Sequence, residues 1–173
     1  MDRITIHTGM AGFHLLTAVS FMDGECIRGR AVLDDPSSFV AMECLAQLGA
    51  LHVRSLCDFS KHAFLLKVER FSLTGQGRIP GKLALSGNLV ARSQAAFSYD
   101  LWAQGEGQEV CSGRLSDPRV KSAVQRVQGE GKEVCFGRFV FSVKDYDDRF
   151  RKAILRKRYK EIFACLTNGS GIG

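Results

Sequence analysis

Glu43, Gln47 and Arg54 are the residues whose types and spacing suit chemistry. At ~100° per residue they fall within about 40° of one another on a helix, with Ala50 between them. They interrupt an apolar run, DDPSSFVAMECLAQLGALHVRSLCD, from Asp34 to Asp58. A carboxylate inside such a run needs a compensating partner, because burying an unpaired charge is expensive. Two arrangements meet that need. Either the three side chains form a hydrogen-bonded stripe that faces water, or Glu43 borders a cavity and acts there on a bound molecule. His14 and His62 are the candidates for a second titratable group. His52 falls near the opposite side of the helix from Glu43, and His7 lies in the N-terminal end.

The element that positions Glu43 is therefore a long helix, buried on most of its circumference. Asp35 can cap its start and Pro36 suits the first helical position. About 22 residues at ~1.5 Å rise make a rod of roughly 33 Å, enough for the spine of a domain. Before it, HLLTAVSFM and ECIRGRAVL flank Asp23-Gly24, a two-residue hairpin signal of the type that needs positive φ at both positions. After it, FLLKVERFSL predicts a strand and GQGRIPG a turn. KLALSGNLVARS places Leu83, Leu85, Leu89 and Ala91 on one face at period two. Ser93-Gln94 bends the chain into AAFSYDLWAQ, and GEG turns it into QEVCSGRLS. A hairpin, one long helix and a run of antiparallel strands specify an α+β layout, one sheet wrapped around one helix.

The chain of 173 residues suits a domain of ordinary size, and 45% hydrophobic with 24% charged residues reads as a soluble globular protein. No uninterrupted apolar run reaches the ~18 residues of a membrane span. The six cysteines (26, 44, 57, 111, 135 and 165) form no CxxC pair and match no metal-ligand or disulfide spacing. They read as reduced core residues of a cytoplasmic protein. No metal constellation and no nucleotide-type glycine loop is present, so no cofactor is expected.

Past Pro118 the pattern changes. QGEGQEVCSGRL at 104–115 is nearly repeated as QGEGKEVCFGRF at 128–139, and either copy suits the edge of the sheet. The tail from Tyr146 to Leu166 predicts a helix with an apolar stripe of Phe150, Ile154, Tyr159, Ile162, Phe163 and Leu166. Its other face carries seven cations from Arg149 to Lys160. A division into 1–117 and a C-terminal extension, 118–173, follows, the extension packing on or enlarging the same domain. The basic face suits solvent or an acidic protein, and no nucleic-acid-binding motif accompanies it.

Three stretches together resemble one known family. They are the strand pair FHLLTAVSFMDGECIRGRAVL, the helix piece MECLAQLGAL, and FLLKVERFSL followed by PGKLALSGNLV and a last hairpin. In order and spacing they resemble the hotdog fold, and within it the β-hydroxyacyl-acyl-carrier-protein dehydratases, over roughly residues 10–117. The family's Glu-Ala-x-Ala-Gln signature stands here as Glu43-Cys44-Leu45-Ala46-Gln47, and its Pro-Gly-Asp as Pro80-Gly81-Lys82. The family's His-Phe-Pro-Gly loop is missing, because Leu33-Asp34-Asp35-Pro36 runs straight into the helix and 26–42 contains no histidine.

The resemblance implies an acyl thioester as substrate, carried on acyl-carrier protein or coenzyme A. Dehydration needs both a base for the α-proton and an acid for the leaving hydroxyl. Glu43 supplies one, and His14, His62 or a partner subunit the other. Two alternatives need no histidine loop. One is a hotdog thioesterase, with Glu43 as nucleophile or base and the helix N-terminus near Ser37–Val40 polarising the carbonyl. The other is a non-catalytic subunit paired with a complete dehydratase. Gln47, Phe39, Met42, Phe64, Phe71, Pro80 and Gly81 are the expected substrate-binding residues, with Leu45 and Leu66 beside them. Arg70, Arg78, Lys82 or the basic tail would guide the anionic carrier arm. Hotdog proteins usually dimerise edge to edge, so a homodimer or a heterodimer with another hotdog subunit is expected.

Overall fold

The computed structural model describes residues 15–33, 37–74, 79–106, 133–147 and 151–168. Within them the elements run β1 (Leu16–Met22), β2 (Cys26–Val32), α1 (Ser38–Leu56), β3 (His62–Leu73), β4 (Lys82–Arg92), β5 (Ala96–Gly105), β6 (Glu133–Lys144) and α2 (Lys152–Thr167). The strands form one antiparallel sheet in the order β1-β2-β4-β5-β6-β3. Helix α1 lies against that sheet and touches every strand in it. This is the hotdog fold that the sequence led us to expect.

Helix α1 starts later than its sequence suggested. Ser37 is the N-cap, its Oγ accepting from the Val40 N–H at 3.3 Å, and the helix runs 19 residues. The expected cap at Asp35 and Pro36 falls outside the described residues. At the other end the chain turns through two residues of positive φ, Asp58 (47°) and Phe59 (53°). The Phe59 N–H reaches back to the Arg54 carbonyl at 2.7 Å. A bulky side chain rarely adopts that conformation. Burial of the Phe59 ring, edge-on to Phe163 at 5.4 Å, offsets the strain.

The buried face of α1 includes Cys44, Leu45, Leu48, Leu51 and Val53, each large aliphatic contributing about 1.5–3 kcal/mol. Gly49 lets the helix sit close on the sheet, since a Cβ there would lie 2.5 Å from the Phe141 ring. His52 is buried on the side away from Glu43, as helical periodicity required. Its Nε2 lies 2.7 Å from the Asp23 carbonyl and its Nδ1 3.0 Å from the Tyr99 hydroxyl. A carbonyl only accepts, so Nε2 carries the proton and Nδ1 accepts from Tyr99.

Burial holds the His52 pKa below the ordinary histidine value, although Asp23 works in the opposite direction. The folded state therefore binds fewer protons than the unfolded state. Stability from this residue is complete above the unfolded pKa of ~6.5 and is lost as pH falls through the folded value. His62 acts with the same sign. Urea midpoints should fall between about pH 7 and pH 5, less steeply in a His52→Leu/Tyr99→Phe double variant. Equal slopes in the two proteins would count against a neutral His52.

Three local features differ from expectation. The first hairpin has a three-residue connection, Asp23 to Glu25, and Asp23 is not at positive φ. Asp23 Oδ1 instead accepts from the Glu25 and Cys26 N–H groups at 2.8 and 2.7 Å, an Asx turn. The alternation along β4 breaks at an irregularity between Leu89 and Ala91, so Leu83 and Leu85 are buried while Ala91 is exposed. The strand of the second repeat copy, β6, is not at an edge. It lies between β5 and β3, with Phe139 and Phe141 fully buried and Arg138 paired to Asp100 at 2.8 Å. Two aromatics alternating inward need cover that an edge strand does not supply. Most of the first copy falls outside the described residues.

Candidate active site

A cavity of about 330 Å³ lies where α1, the start of β3 and α2 meet. That is the size of a small-molecule site. Glu43, Gln47 and Arg54 line it, so the polar stripe of the helix does face one space. Ala46 and Ala50 on the same face leave the room, and Leu16, Leu51, Leu155 and Ile162 make the walls apolar.

Glu43 is half-buried at one end of the cavity. Gln47 Nε2 donates to Glu43 Oε1 at 3.1 Å, and the Leu15 N–H donates to Gln47 Oε1 at 3.0 Å. The backbone of the first strand thus fixes the amide, and the amide fixes the carboxylate. Burial raises the Glu43 pKa above the ordinary glutamate value, with the Gln47 hydrogen bond opposing it. A carboxylate tuned upward in a largely apolar space is a better proton acceptor than one in water.

Arg54, His62 and Tyr159 gather at the other end. Arg54 Nη2 donates to the Ala63 carbonyl at 2.7 Å, and its guanidinium lies 4.1 Å over the Tyr159 ring. The Tyr159 hydroxyl is 3.1 Å from His62 Nδ1, and the two rings stack at 5.9 Å. Burial, and then the Arg54 charge, push the His62 pKa down, which favours neutral imidazole. Eleven residues of helix separate Glu43 from Arg54, about 16 Å along the axis. His62 sits beside the Arg54 end through Ala63. The structure thus brings Glu43 and His62 to one cavity but to opposite ends of it.

Among the other residues singled out from sequence, Phe64 lines the cavity. Phe39 is 66% exposed on the first turn of α1. Met42 and Phe71 pack against the core, Phe71 edge-on to Phe139 at 6.5 Å. Leu45 is fully buried and Leu66 is exposed. The Gly81 carbonyl accepts from the Leu33 N–H at 2.7 Å, and Pro80 lies against Gly105. Apart from Phe64, none of these seven lines the cavity, nor do Ser37–Val40 at the helix N-terminus. His14 and Arg78 fall outside the described residues. What the sequence did not disclose is the wall from α2: Leu155, Arg158, Tyr159 and Ile162. The apolar stripe of α2 was legible, but nothing in it named the surface it would cover.

The basic face of α2 is partly neutralised within the chain. Arg156 and Lys160 reach Asp58 at 3.2 and 3.7 Å. Among the described residues no group of three or more His, Cys, Asp or Glu is placed to hold a metal ion. No described helix is long and apolar enough to cross a membrane.

No family model matches the sequence, and no curated protein matches it. Solved structures do resemble the fold. Thioesterase HI1161 of Haemophilus influenzae superposes with a TM-score of 0.52 at 14% identity, over 73% of this chain and 77% of that one. A mutant of thioesterase PA1618 of Pseudomonas aeruginosa gives 0.53 at 13%, over 73% and 80%. The thioesterase yhdA of Lactococcus lactis, described as putative, gives 0.53 at 10%, over 77% and 94%. At such identities the likeness is one of fold.

Proposed function

We propose that this protein is a hotdog thioesterase that hydrolyses an acyl thioester, with Glu43 as general base. The observation that carries the proposal is the position of Glu43: half-buried, held by Gln47, at the end of an apolar cavity. Glu43 takes a proton from a water molecule as that water attacks the thioester carbonyl. The tetrahedral intermediate expels the thiolate, which collects the proton and leaves free acid in the cavity. A thiol is a good leaving group, with a pKa near ~8.5, so this route needs no second strong acid.

The same geometry favours hydrolysis over the dehydratase chemistry that the sequence resemblance implied. Loss of water across one carbon–carbon bond needs acid and base within a few ångströms of each other. The histidine loop is missing, and His62 lies at the far end of the cavity. That the resembling solved structures are named as thioesterases supports the same choice.

The thiol carrier is coenzyme A or an acyl-carrier protein, whose anionic arm suits the cations of α2. The working unit in this proposal is a dimer formed along β3, as homodimer or with another hotdog chain. β3 is an edge strand and leaves Phe64, Leu65, Leu66 and Leu73 exposed, an edge that asks for cover. Phe64 and Leu65 also line the cavity, so a second subunit there would complete its wall.

The test is to give the purified protein a saturated acyl-coenzyme A and its β-hydroxy counterpart, and to read products by mass spectrometry. Free acid and thiol in equal amounts from both are expected. Water loss from the hydroxy substrate without free acid would overturn the proposal. A protein that binds both and turns over neither would be a non-catalytic subunit.

A further inference from the structure

Arg54 is a largely buried cation in a mostly apolar cavity. Among the described residues no carboxylate lies within salt-bridge distance of it. Its partners are a backbone carbonyl and a tyrosine face, and its Nε is buried with no hydrogen-bond acceptor. A cation kept in such a place without a counter-charge loses several kcal/mol of hydration. His62 beside it offers no compensation, being neutral or positive. Arg158 lines the cavity too. A purely structural tether to Tyr159 would not need a guanidinium with an unused buried donor, since an aliphatic side chain packs on a ring without that loss.

We infer that the cavity selects acyl groups ending in a carboxylate remote from the thioester, which Arg54 receives while Glu43 faces the reacting carbon. This rests on the thioesterase reading for the direction in which the chain lies. The apolar stretch between the two ends, floored by Ala46 and Ala50, suits methylene groups. With ~16 Å of helix between Glu43 and Arg54, the acyl chain is on the order of ten atoms long. The carboxylate completes the pair that the protein leaves open. Guanidinium and carboxylate meet as planar forks, which a terminal methyl or ammonium cannot reproduce.

The experiment measures binding without turnover. Three coenzyme A thioesters of equal length, ending in carboxylate, methyl or ammonium, are titrated calorimetrically into full-length Glu43→Gln protein. The carboxylate form should bind ~10- to 100-fold more tightly than the methyl form, the value of a charge-assisted hydrogen bond. The ammonium form should bind most weakly. Adding Arg54→Met should bring the carboxylate-to-methyl ratio close to one, and Arg54→Lys should leave an intermediate ratio. Equal binding of carboxylate and methyl forms, a preference that survives Arg54→Met, or binding of none would each overturn the inference. Should Arg54→Met fail to fold, the three-ligand comparison and Arg54→Lys still decide it. Hydrolysis is scored separately on the wild type. No turnover with the binding preference intact would remove the thioesterase reading and leave the carboxylate site standing.

Discussion

Glu43→Gln is expected to lower kcat/KM for thioester hydrolysis by ~10²–10⁴, the usual contribution of a positioned general base. The amide can still accept from Gln47 Nε2, so the geometry of the site survives while the proton acceptor is lost. The wild-type pH profile should follow the same carboxylate. Activity rises with pH as Glu43 ionises, and burial places that inflection above the ordinary glutamate value. Below it the carboxyl is protonated and the base is gone.

The stability sign is the reverse of the activity sign. A folded pKa above the unfolded one favours folding at low pH, and that contribution is lost as pH rises through the folded value. Glu43→Gln should therefore melt no lower than wild type at neutral pH, and slightly higher if ionised Glu43 is as strained as its burial suggests. An active Glu43→Gln protein with an unchanged pH profile would show that Glu43 is only part of the cavity wall.

Phe141→Ala is expected to cost about 3–5 kcal/mol, the range for a large aromatic removed from a core. Phe141 is fully buried, edge-on to Tyr99 at 5.7 Å, and its ring fills the space that Gly49 leaves on α1. The opposite change tests the same contact. Gly49→Ala gains about 1 kcal/mol of helix propensity but places a Cβ 2.5 Å from a fully buried ring. Overpacking of that kind costs ~1–3 kcal/mol, so a net loss of up to about 2 kcal/mol is expected.

The double variant decides whether the two effects share one contact. The alanine Cβ at 49 occupies part of the volume vacated at 141, so the combined loss should fall short of the sum by at least ~0.5 kcal/mol. Denaturant midpoints for the four proteins measure it. Strict additivity would mean that the close approach of helix and sheet at Gly49 is not what limits packing there. Because Glu43, Gln47 and Arg54 lie on the cavity-facing side of the same helix, any shift at Gly49 would also move the site.

The sequence by itself determined the hotdog layout and the polar stripe of α1. Both rest on periodicity: Glu43, Gln47 and Arg54 share a helical face whatever packs on it, and His52 must point the other way. Local chemistry, too, marked the turn at Asp23, though not its geometry. An aspartate at a hairpin tip can bond its own following amides, and here that Asx turn took the place of the positive φ expected from Asp-Gly.

What only the tertiary structure decided is what lies across the chain from those residues. Ser37 rather than Asp35 caps α1, a choice between neighbours that differ little in capping strength. The second repeat copy sits inside the sheet because Phe139 and Phe141 both need cover, and strand order depends on pairing partners far away in sequence. Arg54 and His62 share an end of the cavity through Ala63 and Tyr159, and Tyr159 follows His62 by nearly a hundred residues. Periodicity states which side chains point together. It carries no information on which element closes over them, because apolar burial is non-directional and one greasy stripe fits many surfaces.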